Sequence, residues 1–201
     1  MHAPGRSNSF SAPVSMQDVL RRILDALTKA QIPYMFTGSF ASSYHGTPRA
    51  TQDLDIVISP TPEQLRVFSA ALPQSEYYFD LEDALDALAH RKQFNVLDLI
   101  SGWKVDFIIQ KTRPFSHAEF DRRFQIEIEG MTIFLTSLED IVLAKLEWAK
   151  PGQSERQIED VAWILRSRMD ELDRSYIDHW VEELGVHAEW NMATEKARLL
   201  S

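Results

Sequence analysis

Three aspartates in apolar surroundings are the residues of this sequence best suited to chemistry. Asp53 and Asp55 are one residue apart in an apolar run, and Asp106 lies inside a second apolar run, residues 103–109. Residues i and i+2 of a strand project from the same face, so the first two carboxylates are expected to lie together. Neighbouring carboxylates repel each other unless solvent, protons or cations relieve the charge. The pattern predicts a cation site, and Mg²⁺ suits oxygen ligands that are shared with substrate phosphates.

A Gly-Ser pair precedes the aspartates and predicts a place for phosphate. Gly38 and Ser39 follow the short strand pattern 34–37 and stand at the start of a helical pattern. Backbone N–H groups at a helix N-terminus bind phosphate well. Glycine lets the backbone approach closely, and the Ser39 hydroxyl can donate to a phosphate oxygen.

Hydrophobic periodicity and turn residues predict the elements that must position these side chains. Strands are expected at 34–37, 54–58, 94–100, 103–109, 125–129 and 131–135, and helices at 15–28, 40–44, 62–72, 82–89, 115–123, 138–148, 154–168, 175–184 and 190–200. The predicted fold class is α+β, a mixed β-sheet flanked by helices with a C-terminal helical bundle. The predicted organisation is a flexible tail over 1–14, an α/β core over 15–135 and a helical region over 136–201.

Composition excludes several classes of function. The chain has 201 residues, no cysteine and a formal net charge of -9, so thiolate metal sites, cysteine nucleophiles and disulfides are ruled out. The acidic balance opposes non-specific coating of nucleic acid, which depends on Lys and Arg. No apolar run approaches the length of a membrane span, and residues 1–13 lack the apolar core of a signal peptide. A cytoplasmic protein without a membrane partner is expected.

The order of these motifs resembles the nucleotidyltransferase superfamily, the fold shared by DNA polymerase beta, kanamycin nucleotidyltransferase and the minimal nucleotidyltransferases. The motif residues are Gly38-Ser39, Asp53, Asp55 and Asp106. The stretches 38–53 and 136–146 are similar to the AbiEii-type branch, which includes toxins of toxin–antitoxin and phage-abortive systems. The resemblance covers roughly residues 32–165.

The resemblance implies an activity and a set of site residues. It implies transfer of a nucleoside monophosphate from an NTP to an acceptor hydroxyl, with two Mg²⁺ ions, or Mn²⁺ as the alternative, as cofactors. The implied metal ligands and catalytic residues are Asp53, Asp55 and Asp106, and the implied nucleotide-binding residues are Gly38, Ser39, Arg49, Thr51 and Lys145. The acceptor is open between a protein, an RNA 3′ end and a small molecule. The base preference, the oligomeric state and the existence of an antitoxin partner are open as well.

Plainer interpretations stand beside several of these residues. Asp106 can be an edge-strand charge, and Ser39 can serve only as a helix cap. Arg49 and Thr51 can serve only to stabilise their loop. Lys145, Arg156, Glu159 and Asp160 match family roles, yet the last three and Glu155 also fit ordinary surface ion pairs, and Gln157 stands where the branch often has Asp. Trp148, Trp163 and Trp180 are predicted to be core residues.

Two functional alternatives remain at this level. One is a non-catalytic interaction module on the same fold, and the other is a Mg²⁺-dependent phosphohydrolase. The presence of all three carboxylates and of the Gly-Ser turn favours the transferase over the module.

Overall fold

Seven strands form one mixed sheet at the centre of this computed structural model, which describes residues 15–46, 53–150, 152 and 154–200. The strands are β1 Tyr34–Thr37, β2 Asp53–Ile58, β3 Tyr77–Tyr78, β4 Gln93–Asp98, β5 Lys104–Ile109, β6 Phe124–Ile128 and β7 Met131–Leu135. Their order in the sheet is β3-β4-β5-β2-β1-β7-β6. The pairs β2–β5 and β1–β7 are parallel, and the other four pairs are antiparallel.

Helices flank this sheet and make up the C-terminal third of the chain. They are α1 Met16–Lys29, α2 Gly38–His45, α3 Pro62–Ala71, α4 Leu81–His90, α5 Pro114–Asp121, α6 Leu138–Ala149, α7 Glu155–Arg168, α8 Arg174–Leu184 and α9 His187–Leu199. A 3₁₀ turn, Met169–Glu171, separates α7 from α8. Helix α1 begins in a capping box, in which Ser15 accepts from the backbone of Asp18 and the Asp18 carboxylate accepts from the backbone of Ser15.

Strand alternation gives the sheet two different faces. One face of β2 carries Leu54, Ile56 and Ile58, which are buried in the main core. Phe107 of β5 joins this core, and its ring centroid lies 5.2 Å from that of Phe68 on α3. Each such side chain contributes roughly 1.5–3 kcal/mol when it is fully buried. The other face of β2 therefore carries the odd-numbered residues, and the predicted site lies there.

A buried ionic cluster fixes α6 against its neighbours. Asp140 has no exposed surface and accepts from Arg122 Nε at 3.1 Å and from Tyr176 Oη at 2.7 Å. Arg122 follows α5, and Tyr176 lies on α8, so three helices meet at one carboxylate. Helix α6 also contacts α2 and α7, which anchors the helical region to the sheet region.

The structure confirms the predicted α+β class, with a mixed sheet flanked by helices and a helical C-terminal region. The short strand β3 and the 3₁₀ turn were not predicted, because neither has enough residues to show a periodic pattern. Strand β4 ends at Asp98, whereas the prediction carried it to residue 100. The reason is that the Asp98 carboxylate accepts from the backbone N–H groups of Ile100 and Ser101, which closes the turn early.

Some predictions fall on residues that the structure does not describe. The predicted tail over 1–14 and the predicted nucleotide-binding residues Arg49 and Thr51 lie outside the described ranges. Within those ranges, every helix is too short or too polar to cross a membrane.

Candidate active site

Strand register brings two of the predicted aspartates side by side. Asp55 on β2 is the parallel partner of Asp106 on β5, and Asp53 is the partner of Lys104 one step earlier. Because residues i and i+2 share a face, all four side chains project from the same side of the sheet. Three negative charges and one positive charge are therefore concentrated on a patch of two strands.

The Gly38 turn is built directly against Asp55. Gly38 has a φ of +60°, and a Cβ atom at this position would lie 2.0 Å from Asp55 Oδ2 and 2.9 Å from Asp55 Cβ. Only glycine satisfies both the backbone conformation and this approach. The backbone N–H of Ser39 donates to the Asp55 carboxylate, so the aspartate lies at the N-terminus of α2. Thr37, the N-cap residue, makes no side-chain cap of its own.

Charge crowding is visible in the ionisation of Asp55. Burial raises the pKa of this carboxyl, and the neighbouring Asp106 raises it further, with a smaller contribution from Asp53. The Ser39 N–H and the Lys145 ammonium act in the opposite direction. A bound cation would relieve the remaining repulsion.

Lys104 is a member of the site that sequence reasoning missed. Its Nζ atom lies 2.8 Å from Asp106 Oδ2, and this hydrogen bond is the main cause of the raised pKa of Lys104. The signal was present in the sequence, since Lys104 precedes Asp106 by two residues and so shares its face. The lysine partly neutralises the aspartate patch.

Lys145 reaches the site from α6. It is 4% exposed, and its Nζ atom donates to Asp160 Oδ2 at 2.7 Å and to Gln157 Oε1 at 3.0 Å. Gln157, which departs from the AbiEii-type pattern, thus still accepts from the lysine. By contrast, Glu155 and Glu159 of α7 lie 3.6 Å and 4.0 Å from Lys196 on α9. These are surface ion pairs between two helices, and not the i,i+3 or i,i+4 pairs of the plainer interpretation.

A cavity of about 260 Å³, which we call the acidic cavity, lies between the Gly38 turn, the paired aspartates and Lys145. It is lined by five predicted site residues, Gly38, Ser39, Asp55, Asp106 and Lys145. Asp53 is exposed at the start of β2 and is not among the lining residues. The structure thus gathers five of the predicted residues and leaves Asp53 at the margin of the same face.

Trp148 also lines this cavity, and its predicted place in the core was wrong. The residue is 60% exposed near the C-terminal end of α6. Periodicity shows that a helix position is apolar, but it does not show whether the position faces packed side chains or an open cavity. Trp180, in contrast, packs against the core through Phe115, with ring centroids 5.2 Å apart.

The donor atoms can be tested against the implied metal. Carboxylate oxygens of Asp55 and Asp106 are ligands of the type that Mg²⁺ prefers, and their crowding favours a cation. However, the described part of the chain contains no group of three or more His, Cys, Asp or Glu side chains arranged to hold a metal ion. The pair fits the chemistry of Mg²⁺, and substrate phosphates would have to supply further ligands.

Comparison with known proteins connects this geometry to a fold. Searches found no matching family model and no matching curated protein. Among solved structures, ANT(2″)-Ia in complex with adenylyl-2″-tobramycin matches with a TM-score of 0.50 and 15% identity over 85% of this chain and 97% of that chain.

Two further matches lie just below that level of similarity. The solution structure of the antibiotic-resistance factor ANT(2″)-Ia has a TM-score of 0.48 and 14% identity, covering 90% of this chain and 95% of that one. A nucleotidyltransferase-like protein from Paracoccidioides brasiliensis has a TM-score of 0.49 and 15% identity, covering 92% and 95%. The ANT(2″)-Ia complex, together with the mixed seven-stranded sheet, shows that the chain has an α+β nucleotidyltransferase fold.

Proposed function

We propose that this protein transfers a nucleoside monophosphate from an NTP to an acceptor hydroxyl. The observation that carries the proposal is the union of the Gly38 turn with two paired aspartates, in which Asp55 contacts the turn and stands beside Asp106. A phosphate-binding turn next to an oxygen-rich anionic patch is the arrangement that phosphoryl transfer needs, because positioning and charge neutralisation supply most of its rate.

The NTP phosphates would bind at the N-terminus of α2. The Ser39 hydroxyl and the backbone N–H groups of this turn would donate to phosphate oxygens. Lys145 borders the same cavity and would place its ammonium group near the triphosphate. Asp160 and Gln157 would hold that lysine in place through the two hydrogen bonds that it donates.

Asp53, Asp55 and Asp106 would hold Mg²⁺, or Mn²⁺ as the alternative. Such an ion, when bound, neutralises charge on the phosphates and on the attacking and leaving oxygens. In the transfer itself, the acceptor oxygen bonds to the α-phosphorus as the bond from that phosphorus to the pyrophosphate oxygen breaks. We assign Asp106 as the base that takes the proton from the acceptor hydroxyl.

The finer predictions belong to this proposal as well. The AbiEii-type branch, a role as a toxin with an antitoxin partner, and a cytoplasmic location are proposed on the sequence resemblance. The acceptor classes left open by the sequence were protein, RNA 3′ end and small molecule.

A non-catalytic interaction module is the competing function, and two observations favour it. Lys104 already pairs with Asp106, and the described residues contain no three-residue group arranged for a metal. Because Lys104 already neutralises part of the charge on Asp106, a module on this fold could keep these carboxylates without a metal ion.

One labelling experiment separates these functions. The full chain is incubated with Mg²⁺, a cell extract and each α-³²P-labelled NTP in turn, beside the Asp55→Asn variant. We expect label on an acceptor, reduced by roughly 10²- to 10³-fold or more in the variant, since a group that stabilises the transition state is removed. Asp25→Asn, an exposed carboxylate on α1, is the matched control and should transfer normally.

The other outcomes have definite meanings. Absence of label together with absence of Mg²⁺-dependent NTP binding by calorimetry supports the module. Release of nucleotide without a labelled acceptor supports the phosphohydrolase. Equal labelling by the wild type and Asp55→Asn would remove the basis of the proposal.

A further inference from the structure

A second cavity adjoins the acidic cavity and is larger, with a volume of about 410 Å³. The two cavities share five lining residues, Thr37, Gln93, Ile108, Ala144 and Trp148, so they lie side by side. A molecule in this second cavity would therefore lie next to a nucleotide bound at the Gly38 turn.

The charges of the second cavity are mostly positive. Its lining includes four cations, Arg91, Lys92, Lys111 and Arg113, and two acids, Glu119 and Glu147. Arg113 is bonded through both terminal nitrogens to the Glu147 carboxylate, so these two charges cancel. We refer to this space as the basic cavity.

The remaining acid does not offset the other cations at neutral pH. Burial raises the pKa of Glu119 to about 8, with a further contribution from Asp140, while Arg113 acts in the opposite direction. Four cations less the single ionised Glu147 leave a local charge of +3, in a chain whose net charge is -9. Lys92 also lines a neighbouring groove that contains three aspartates, so Arg91 and Lys111 carry most of this excess.

The position of Arg91 is conformationally unusual. It caps the C-terminus of α4 with a φ of +53°, in the left-handed region where glycine is preferred. Its Nη1 atom lies 3.4 Å from the carbonyl oxygen of Gln110 at the end of β5, which directs the guanidinium across the cavity wall. A glycine would adopt this backbone conformation with less strain, so Arg91→Gly removes the side chain without disturbing the backbone.

We infer that the basic cavity holds the acceptor and that the acceptor is a small hydroxyl compound bearing a phosphate or similar anionic group. This inference rests on the proposed nucleotidyl transfer. A cavity of about 410 Å³ falls within the range of small-molecule sites. The strongly acidic remainder of the chain opposes a long nucleic acid. Arg91 and Lys111 would bind the anionic group, and the hydroxyl would face the α-phosphorus past Trp148.

The first readout is binding, which does not depend on catalysis. Inorganic phosphate is titrated calorimetrically into the full chain and into Arg91→Gly, Lys111→Ala and the double variant. We expect each single variant to weaken binding roughly fivefold or more, because charge-assisted hydrogen bonds are lost. Arg66→Ala removes a cation that lines neither cavity and is the control. Arg91→Gly should melt no lower than the wild type, which excludes misfolding as the cause.

The second readout is the charge of the labelled acceptor. The small-molecule fraction of a cell extract is divided by ion exchange into anionic, neutral and cationic pools, and each pool is incubated with Mg²⁺ and labelled NTPs. We expect label in the anionic pool alone, reduced at least tenfold in the double variant with NTP affinity unchanged. Tobramycin, a polycationic amino sugar, should accept no label.

The two proposals fail in distinguishable ways. Label in the neutral or cationic pool, in tobramycin or in RNA overturns the anionic acceptor while leaving nucleotidyl transfer intact. Phosphate binding that is absent, or equally strong in the double variant, overturns it too. If no fraction is labelled by any NTP, nucleotidyl transfer fails, and the phosphate titration alone decides whether the cavity binds anions.

Discussion

The acidic and basic cavities share a wall but obtain their charges in opposite ways. In the acidic cavity, strand register places Asp55 beside Asp106, and the Gly38 turn packs directly against Asp55. In the basic cavity, the excess charge comes from the ends of elements, with Arg91 after α4 and Lys111 after β5. The first arrangement is rigid and crowded, and the second is exposed and adjustable.

This contrast indicates a division of labour. Crowded carboxylates on adjacent strands cannot move apart, so they favour a cation at a fixed place. Exposed side chains at element ends can adapt to the shape of a ligand at little cost to the fold. We therefore expect substitutions in the acidic cavity to disturb folding and chemistry together, and substitutions of the exposed cations Arg91 and Lys111 to change acceptor binding alone.

The largest effect on stability is expected at Gly38. In Gly38→Ala, the new methyl group would meet the Asp55 carboxylate at 2.0 Å, and alanine would be held at a positive φ. We expect a loss of about 3 kcal/mol in the free energy of unfolding, as overpacking and backbone strain add together. Urea denaturation followed by circular dichroism measures it.

Gly130→Ala is the matched control for that prediction. Gly130 has a φ of +73°, and a Cβ atom there would meet nothing within 4 Å. Its cost should be the backbone strain alone, about 1 kcal/mol. Equal costs for the two variants would mean that Asp55 moves freely, which contradicts a rigid acidic cavity.

The contrast also explains how much of the site could be predicted from sequence. Gly38 and the aspartates were predictable because a strand period of two and a Gly-Ser turn fix their directions locally. The pairing of Asp55 with Asp106 could be expected only through the family resemblance, since no local pattern specifies which strands are neighbours. The strand period of two that places Asp106 on this face of the sheet also places Lys104 there, so Lys104 was predictable in the same way.

The basic cavity had no comparable signal in the sequence. Arg91, Lys111 and Glu119 come from three separate connections or helices, and each looks like an ordinary surface residue by itself. Only the tertiary fold brings them to one space. Trp148 was misplaced for the same reason, because an apolar helix position facing a cavity has the same periodicity as one facing the core.

An intermediate effect is expected for Glu119, which makes the basic cavity dependent on pH. The folded protein holds the proton up to a pKa of about 8, whereas the unfolded chain releases it near the ordinary glutamate value of 4.5. Between these values the unfolded state binds fewer protons, so stability falls as the pH rises, by at most about 1.4 kcal/mol per pH unit. Since Glu119 is only partly buried, we expect a loss of about 1–2 kcal/mol between pH 5 and pH 8.

Glu119→Gln should remove that loss. Urea denaturation at pH 5, 6.5 and 8 is compared between the variant and the wild type, with exposed Glu183→Gln as control. The stability difference between Glu119→Gln and wild type should grow towards pH 8, and the control should show no such trend. A constant difference would mean that Glu119 is ionised throughout, which lowers the positive charge assigned to the basic cavity.

The smallest effect on stability is expected at Trp148, which lies between the two cavities. Because the ring is 60% exposed, Trp148→Ala should cost less than about 1 kcal/mol of unfolding free energy. Trp180→Ala should cost more, about 3 kcal/mol, since that ring packs against Phe115 and Tyr176.

The Trp148 variant should instead raise the KM for NTP or acceptor by at least fivefold, because a stacked base or ring is worth roughly 1–3 kcal/mol. If its KM values are unchanged and its stability falls as far as that of Trp180→Ala, the tryptophan belongs to the core and the two cavities are not joined through it.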